Sequence, residues 1–200
     1  MMRPGVGSMQ EAKAIGAFRG YVRGVSRHGR RLVLLALFAC AAGQGSGLLA
    51  GDLAARPGDV GADRIVIDKS AHRLTLWRRG RAFKTYQVAL GRGGLAPKSR
   101  QGDDLVPEGS YRIDGRNAQS SYHRALHVSY PNAADLARAR KLGVRPGGDI
   151  MIHGLPNGYG WLGPVHRLRD WTRGCIAVTN DEIEELWRLV PAGTPVEIRP

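Results

Sequence analysis

The chain has 200 residues, with 30 Lys or Arg against 17 Asp or Glu and a formal net charge of +13. That length suffices for one ordinary domain. The charge bears on partners and solubility rather than on fold. Its basic residues are scattered rather than clustered with aromatics, which argues against nucleic acid as the partner and for an anionic envelope polymer or a plain solvated surface.

The first 31 residues carry Arg3, Lys13, Arg19, Arg23, Arg27, Arg30 and Arg31 against the single acid Glu11. An uncharged run follows, Leu32 to Ala42. It is too short for a standard membrane-spanning helix and has the length and basic flank of a secretory signal core. Residues 1–42 are therefore expected to be an export signal, with an uncleaved membrane anchor as the alternative. The expected location is the periplasm or cell envelope. Arg30-Arg31 faintly suggests a twin-arginine signal, and Leu37-Phe38-Ala39-Cys40 a lipoprotein box with an ill-fitting Phe38. Residues 43–62, rich in Gly, Ala, Asp and Pro, are expected to be a flexible linker. A folded domain is expected over 63–200.

That domain opens with a β-rich segment at Arg64–Asp68 and a turn at Ser70-Ala71. Arg73–Arg78 alternates with the two-residue period of a half-buried strand. Phe83–Leu90 predicts a third strand, and Gly91–Gly94 ends the meander. Residues 97–106 predict a polar loop. Strands are expected at Ser110–Asp114 and Arg124–Tyr130. Asn132 predicts the N-cap of a helix through Lys141, closed by Gly143. Asp149–His153 predicts a short apolar strand. Thr179-Asn180-Asp181-Glu182 is a capping box opening a helix with Ile183, Leu186, Trp187 and Val190 on its apolar face. Thr194–Ile198 predicts a closing strand. The sum is a mainly β domain with two or three short helices, packed as a mixed β-sandwich or barrel-like fold.

Chemistry concentrates near the C-terminus. Cys175 is the only cysteine outside the apolar N-terminal run. It is either a packed core residue or a nucleophile, since it has no partner in the folded part for an intrachain disulfide. Gly174 before it lets the backbone approach a substrate, and the N–H groups of Gly174 and Cys175 are candidates for an oxyanion hole. Arg173 places a cation beside the thiol. His153, ending its strand before a flexible Gly154, is the candidate base. Thr172 is a supporting hydrogen-bonder or a loop hydroxyl. Trp161 and Trp171 flank the site and are expected to line a substrate groove. His127 has a substrate-orienting or a structural role. His166 reads as a solvated loop histidine, with a substrate contact or second base as the alternative.

No metal or other cofactor is expected. His123 and His127 share a strand face, but their spacing to His153 and Cys175 matches no compact metal motif. Gly91-Arg92-Gly93-Gly94 is not a phosphate loop, because no Gly-Lys-Ser/Thr or helix follows it.

Ile152-His153-Gly154, then Thr172-Arg173-Gly174-Cys175-Ile176, a helix, and Gly193-Thr194-Pro195-Val196-Glu197-Ile198 resemble the L,D-transpeptidase (YkuD/ErfK) catalytic domain. That family's signature is a His, a loop, and Ser/Thr-x-Gly-Cys. Pro107–Ile113 is similar to its Thr-Pro-x-Gly-x-Tyr/Phe-x-Ile strand, and Arg64–Ile67 with Leu74–Trp77 to its opening hairpin. The resemblance covers about residues 63–200. Arg173 stands where the family usually has His, and the loop from His153 to Cys175 looks longer than usual. His127–Asn132 and Asp170-Trp171-Thr172 are similar to a YafK-like branch. The resemblance implies a Cys175 thioester with a peptidoglycan stem peptide, passed to an amine. Water as acceptor would give a carboxypeptidase, or an amidase acting on a peptidoglycan-bound envelope lipoprotein. A non-catalytic peptidoglycan-binding module is a further alternative. No stable protein partner is expected.

Overall fold

The computed structural model describes residues 61–200. The expected signal or anchor, and all but the last two residues of the expected linker, lie outside the described residues. Ala62 is already part of the core, 4% exposed, and its N–H donates to Leu189 O at 2.7 Å.

Eight strands form one mixed sheet: β1 Arg64–Asp68, β2 Arg73–Arg78, β3 Arg81–Gln87, β4 Gly109–Asn117, β5 Ala125–Val128, β6 Met151–His153, β7 Ile176–Ala177 and β8 Pro195–Arg199. Their order is β3-β2-β1-β8-β4-β5-β6-β7. The β1–β8 and β6–β7 pairs are parallel and the other pairs antiparallel. β1 is central, and its Ile65, Val66 and Ile67 are all buried. β2 shows the alternation expected of it, with Leu74 and Leu76 fully buried between more exposed neighbours.

Helix α1, Ala133–Lys141, starts at Asn132 as the sequence indicates, and Asp135 completes a capping box there. It buries little apolar surface. Asp135 and Ala139 are its buried residues, and Tyr111 Oη donates to Asp135 Oδ2 at 3.0 Å. Helix α2, Asn180–Leu189, opens on the Thr179–Glu182 capping box and buries Ile183 and Leu186. A 3-10 segment, Gly160–Leu168, is broken at Gly163 and was not anticipated. The mainly β architecture with short helices is thus the one expected.

The third strand ends three residues before Leu90, the expected end. Val88–Leu90 leaves β2 and crosses to the opposite edge of the sheet. There Ala89 bridges Ala177 of β7, each N–H donating to the other's carbonyl at 2.9 Å. The two edge strands are thereby drawn together, which makes the sheet barrel-like and places β7 and its flanking turn against the 88–92 segment. The main apolar cluster runs from Ile65 and Leu74 through Leu126 and Ile152 to Ile183 and Val190. A second, smaller cluster of Ala89, Leu155, Leu162, Trp171 and Ala177 lies beside it. Among the described residues no helix is long and apolar enough to cross a membrane.

Candidate active site

β6 and β7 are too short to be stable alone, yet they position the key residues. Ile152 pairs with Ile176 and His153 with Ala177. Cys175 precedes Ala177 by two positions. Cys175 thus leads directly into the strand that adjoins the histidine. Cys175 is partly exposed, and its Sγ lies 3.5 Å from Asp149 O, to which the thiol donates. His153 is 2% exposed. Its Nδ1 is 2.7 Å from Gly154 O. A carbonyl only accepts, so Nδ1 carries the proton and Nε2 is the basic nitrogen of the neutral ring.

Aromatic rings enclose that imidazole. The Tyr122 ring lies 4.5 Å from it and the Trp171 ring 5.8 Å, centroid to centroid. Tyr122 and Trp171 themselves stack at 6.2 Å. Trp171 is 4% exposed, so it packs against the imidazole from within rather than facing a groove. Trp161 is 62% exposed on the 3-10 segment and stands apart from these rings.

The turn 172–175 is built by one hydroxyl. Thr172 is fully buried; its Oγ1 donates to Cys175 O at 2.7 Å and accepts from Gly174 N at 3.2 Å. The Gly174 N–H is thereby committed within the turn. Of the two N–H groups suggested for an oxyanion hole, this one already has an acceptor. Gly174 has φ +116, and a Cβ there would stand 2.6 Å from Leu105 O, so the position requires glycine.

Loop 91–106 forms the opposite lip. Its two arms run so close together that a Cβ on Gly91 would meet Asp104 O at 2.1 Å and one on Gly93 would meet Asp103 O at 2.3 Å. Arg173 turns toward this lip: its Nε is 3.7 Å from Asp104 Oδ1, while Arg92 Nε holds Oδ2 at 2.8 Å. Lys98 and Asp103 form a buried pair at 2.7 Å beneath it. Lys69, fully buried, reaches Ala96 O, Val106 O and Glu108 Oε1, tying down both ends of the loop.

Two of the remaining histidines, His123 and His166, differ from expectation. His123 has φ +64 outside β5 and pairs with Glu184 Oε1 at 2.8 Å, so it does not share a strand face with His127. His127 pairs with Asp114 Oδ1 at 2.5 Å. His166 is not solvated: it is 2% exposed, and burial, then the nearby Arg167 and His153 charges, hold its pKa down to about 3. Among the described residues no group of His, Cys, Asp and Glu is placed to hold a metal ion.

A partly exposed thiol at the start of one strand and a buried, oriented imidazole on the strand paired with it are the kinds of group a thiol acyl-transfer site needs. The family follows from the match over the same residues. Residues 62–198 match YkuD, the L,D-transpeptidase catalytic domain, and the chain belongs to this family. YafK of Escherichia coli K12 is 33% identical over 133 residues, which cover 63% of this chain and 46% of YafK. YqjB of Bacillus subtilis 168 is 27% identical over 143 residues, 71% of this chain and 72% of YqjB. The chain thus spans about half the length of YafK, and these relatives support the YafK-like branch. The crystal structure of the helical cell shape determining protein Pgp2 from Campylobacter jejuni is similar with TM-score 0.54 and 25% identity. The likeness covers 69% of this chain and 47% of Pgp2.

Proposed function

We propose that the chain is a cysteine acyltransferase of the bacterial cell wall, acting as an L,D-transpeptidase on peptidoglycan stem peptides. The observation that supports this reading is the pairing of His153 with Ala177, two residues after Cys175, with Gly154 O fixing the imidazole tautomer. Family membership supplies the substrate class.

In the proposed cycle, His153 Nε2 takes the proton of the Cys175 thiol. The thiolate then attacks the carbonyl of the stem's diaminopimelate residue. Negative charge develops on that oxygen, and the Cys175 N–H is the donor proposed to meet it. The imidazolium returns its proton to the departing amine of D-Ala, leaving a thioester. An amine of a second stem attacks the thioester and gives its proton to His153 Nε2; the amide forms and the thiolate leaves, to be reprotonated by the imidazolium. Tyr122 and Trp171 hold the imidazole and exclude water from it. With water in place of the amine, the same thioester would give hydrolysis. The likeness to Pgp2, a helical cell shape determining protein, supports a cell-wall setting for this chain. We place the protein in the periplasm or envelope, on the strength of the basic and apolar N-terminus.

The test is incubation with peptidoglycan carrying tetrapeptide stems, followed by muropeptide analysis. Dimers joined through two diaminopimelates are the expected product. Tripeptides alone would replace transpeptidation by carboxypeptidase activity. Release of a bound lipoprotein fragment would show an amidase. Unchanged muropeptides would favour a non-catalytic wall-binding module.

A further inference from the structure

His166 is a polar side chain where packing alone would favour an apolar one. It is 2% exposed, on the 3-10 segment between His153 and Cys175. Trp171 Nε1 donates to its Nδ1 at 3.4 Å, and the two rings meet edge to face, with centroids 6.3 Å apart at 82°. An indole N–H is donor only, so Nδ1 accepts and the ring proton sits on Nε2. That Nε2 is buried and has no hydrogen-bond partner among the described residues. A buried donor left in this state costs stability. A leucine or phenylalanine would fill the same space without that cost, but could not accept from the indole.

What the acceptor achieves is visible one ring further in. The Trp171 indole stands 5.8 Å from the His153 ring at 65°, and Tyr122 covers the imidazole at 4.5 Å. Trp171 can turn about two side-chain torsions, and its N–H gives the indole a preferred direction only if an acceptor waits there. We propose that His166 is a positioning residue: by accepting the Trp171 Nε1–H it sets the indole that, with Tyr122, holds the His153 ring in its working orientation. This rests on the reading of Cys175 and His153 as a catalytic pair.

The charges around His166 agree with such a role. Arg167 faces Glu182 and is ion-paired with it, and Asp170 holds His72 Nε2 at 2.9 Å. Burial and the cations nearby keep His166 uncharged down to a pH of about 3. When His153 becomes an imidazolium, no second positive charge forms on the neighbouring ring. Histidine thus serves here as a neutral acceptor.

The test is the pH dependence of Cys175 alkylation by iodoacetamide, read on the full chain by peptide mass spectrometry so that Cys40 is counted separately. His166→Leu removes the acceptor. His166→Asn keeps an acceptor atom at the position of Nδ1. Trp171→Phe removes the donor without leaving it unsatisfied. The expected result is a midpoint in His166→Leu raised by about half a pH unit, or about threefold less thiolate near neutrality. His166→Asn should return the midpoint to the wild-type value, and Trp171→Phe should match His166→Leu. If His166→Leu does not fold, the comparison of Trp171→Phe with wild type carries the test. Superimposable profiles for wild type and the folded acceptor-free or donor-free variant would overturn the proposal, as would failure of His166→Asn to restore the midpoint. His153→Ala separates the two readings: an unchanged profile in that variant would mean that the Cys175–His153 pairing itself is wrong.

Discussion

Replacing Thr172 by valine removes one hydroxyl and little volume. The oxygen is fully buried and serves two backbone groups at once, donating to Cys175 O at 2.7 Å and accepting from Gly174 N at 3.2 Å. Valine leaves both without that partner. A buried group left unsatisfied costs about 1–3 kcal/mol. Because Cys175 is partly exposed, water can compensate its carbonyl in part, so the pair should cost about 2–4 kcal/mol. Thr172→Ser keeps the hydroxyl and loses one methyl group, worth about 1 kcal/mol. Urea unfolding of the two variants should therefore place valine below serine by about 1–3 kcal/mol. Thermal melts should differ in the same order, at about 2–4 °C per kcal/mol. The turn also aims the Cys175 N–H, so Thr172→Val should acylate more slowly than Thr172→Ser. A valine variant as stable as the serine variant, with an equal acylation rate, would refute the assignment of the turn to this hydroxyl.

Further outcomes follow from the same geometry. Gly174→Ala must place a Cβ against Leu105 O and hold φ at +116, so unfolding should show a loss of about 3 kcal/mol, with acylation reduced as the turn shifts. Asp103→Asn leaves the Lys98 ammonium buried without its counter-charge and should destabilise by about 3–5 kcal/mol in denaturant titration. Burial raises the Asp103 pKa, but this is outweighed by the Lys98 ammonium and the backbone N–H groups of Arg100, Ser99 and Leu105, so the net shift is downward. A depressed carboxylate stabilises above its unfolded value and loses that contribution as pH falls through the folded one. Wild type should thus lose stability more steeply than Asp103→Asn below about pH 5. Lys69→Met should loosen loop 96–106, visible as faster amide exchange over those residues and a loss of about 2–4 kcal/mol.

Elements with a strong local pattern were legible in the chain. The alternation of Arg73–Arg78, the N-cap at Asn132 and the capping box at Thr179 act within a few residues, and the structure realises all three. What the sequence hid depends on distant pairing. β7 has two residues and exists because Ile176 and Ala177 find β6 on one side and Ala89 on the other. The end of the third strand diverges for the same reason. Cys175 and His153 could be named from type and spacing, but the pairing that sets His153 beside Ala177, two residues after Cys175, follows from the β6–β7 register. Tyr122 gave no signal, since nothing in its local sequence marks it and its place beside His153 comes from distant packing. Lys69 likewise reads as a turn residue, yet lies fully buried over three acceptors. His166 looked like a loop histidine because its burial comes from packing against Trp171, five residues away in the chain but in the second apolar cluster in space.

The central claim is that Cys175 forms the acyl intermediate with His153 as its base. Intact-protein mass spectrometry after brief incubation with a stem tetrapeptide, or with a carbapenem as acylating probe, tests it directly. The account predicts a single covalent adduct that maps to Cys175, is absent in Cys175→Ala and forms at least about 100-fold more slowly in His153→Ala. Product formation from tetrapeptide stems by Cys175→Ala at the wild-type rate would contradict it.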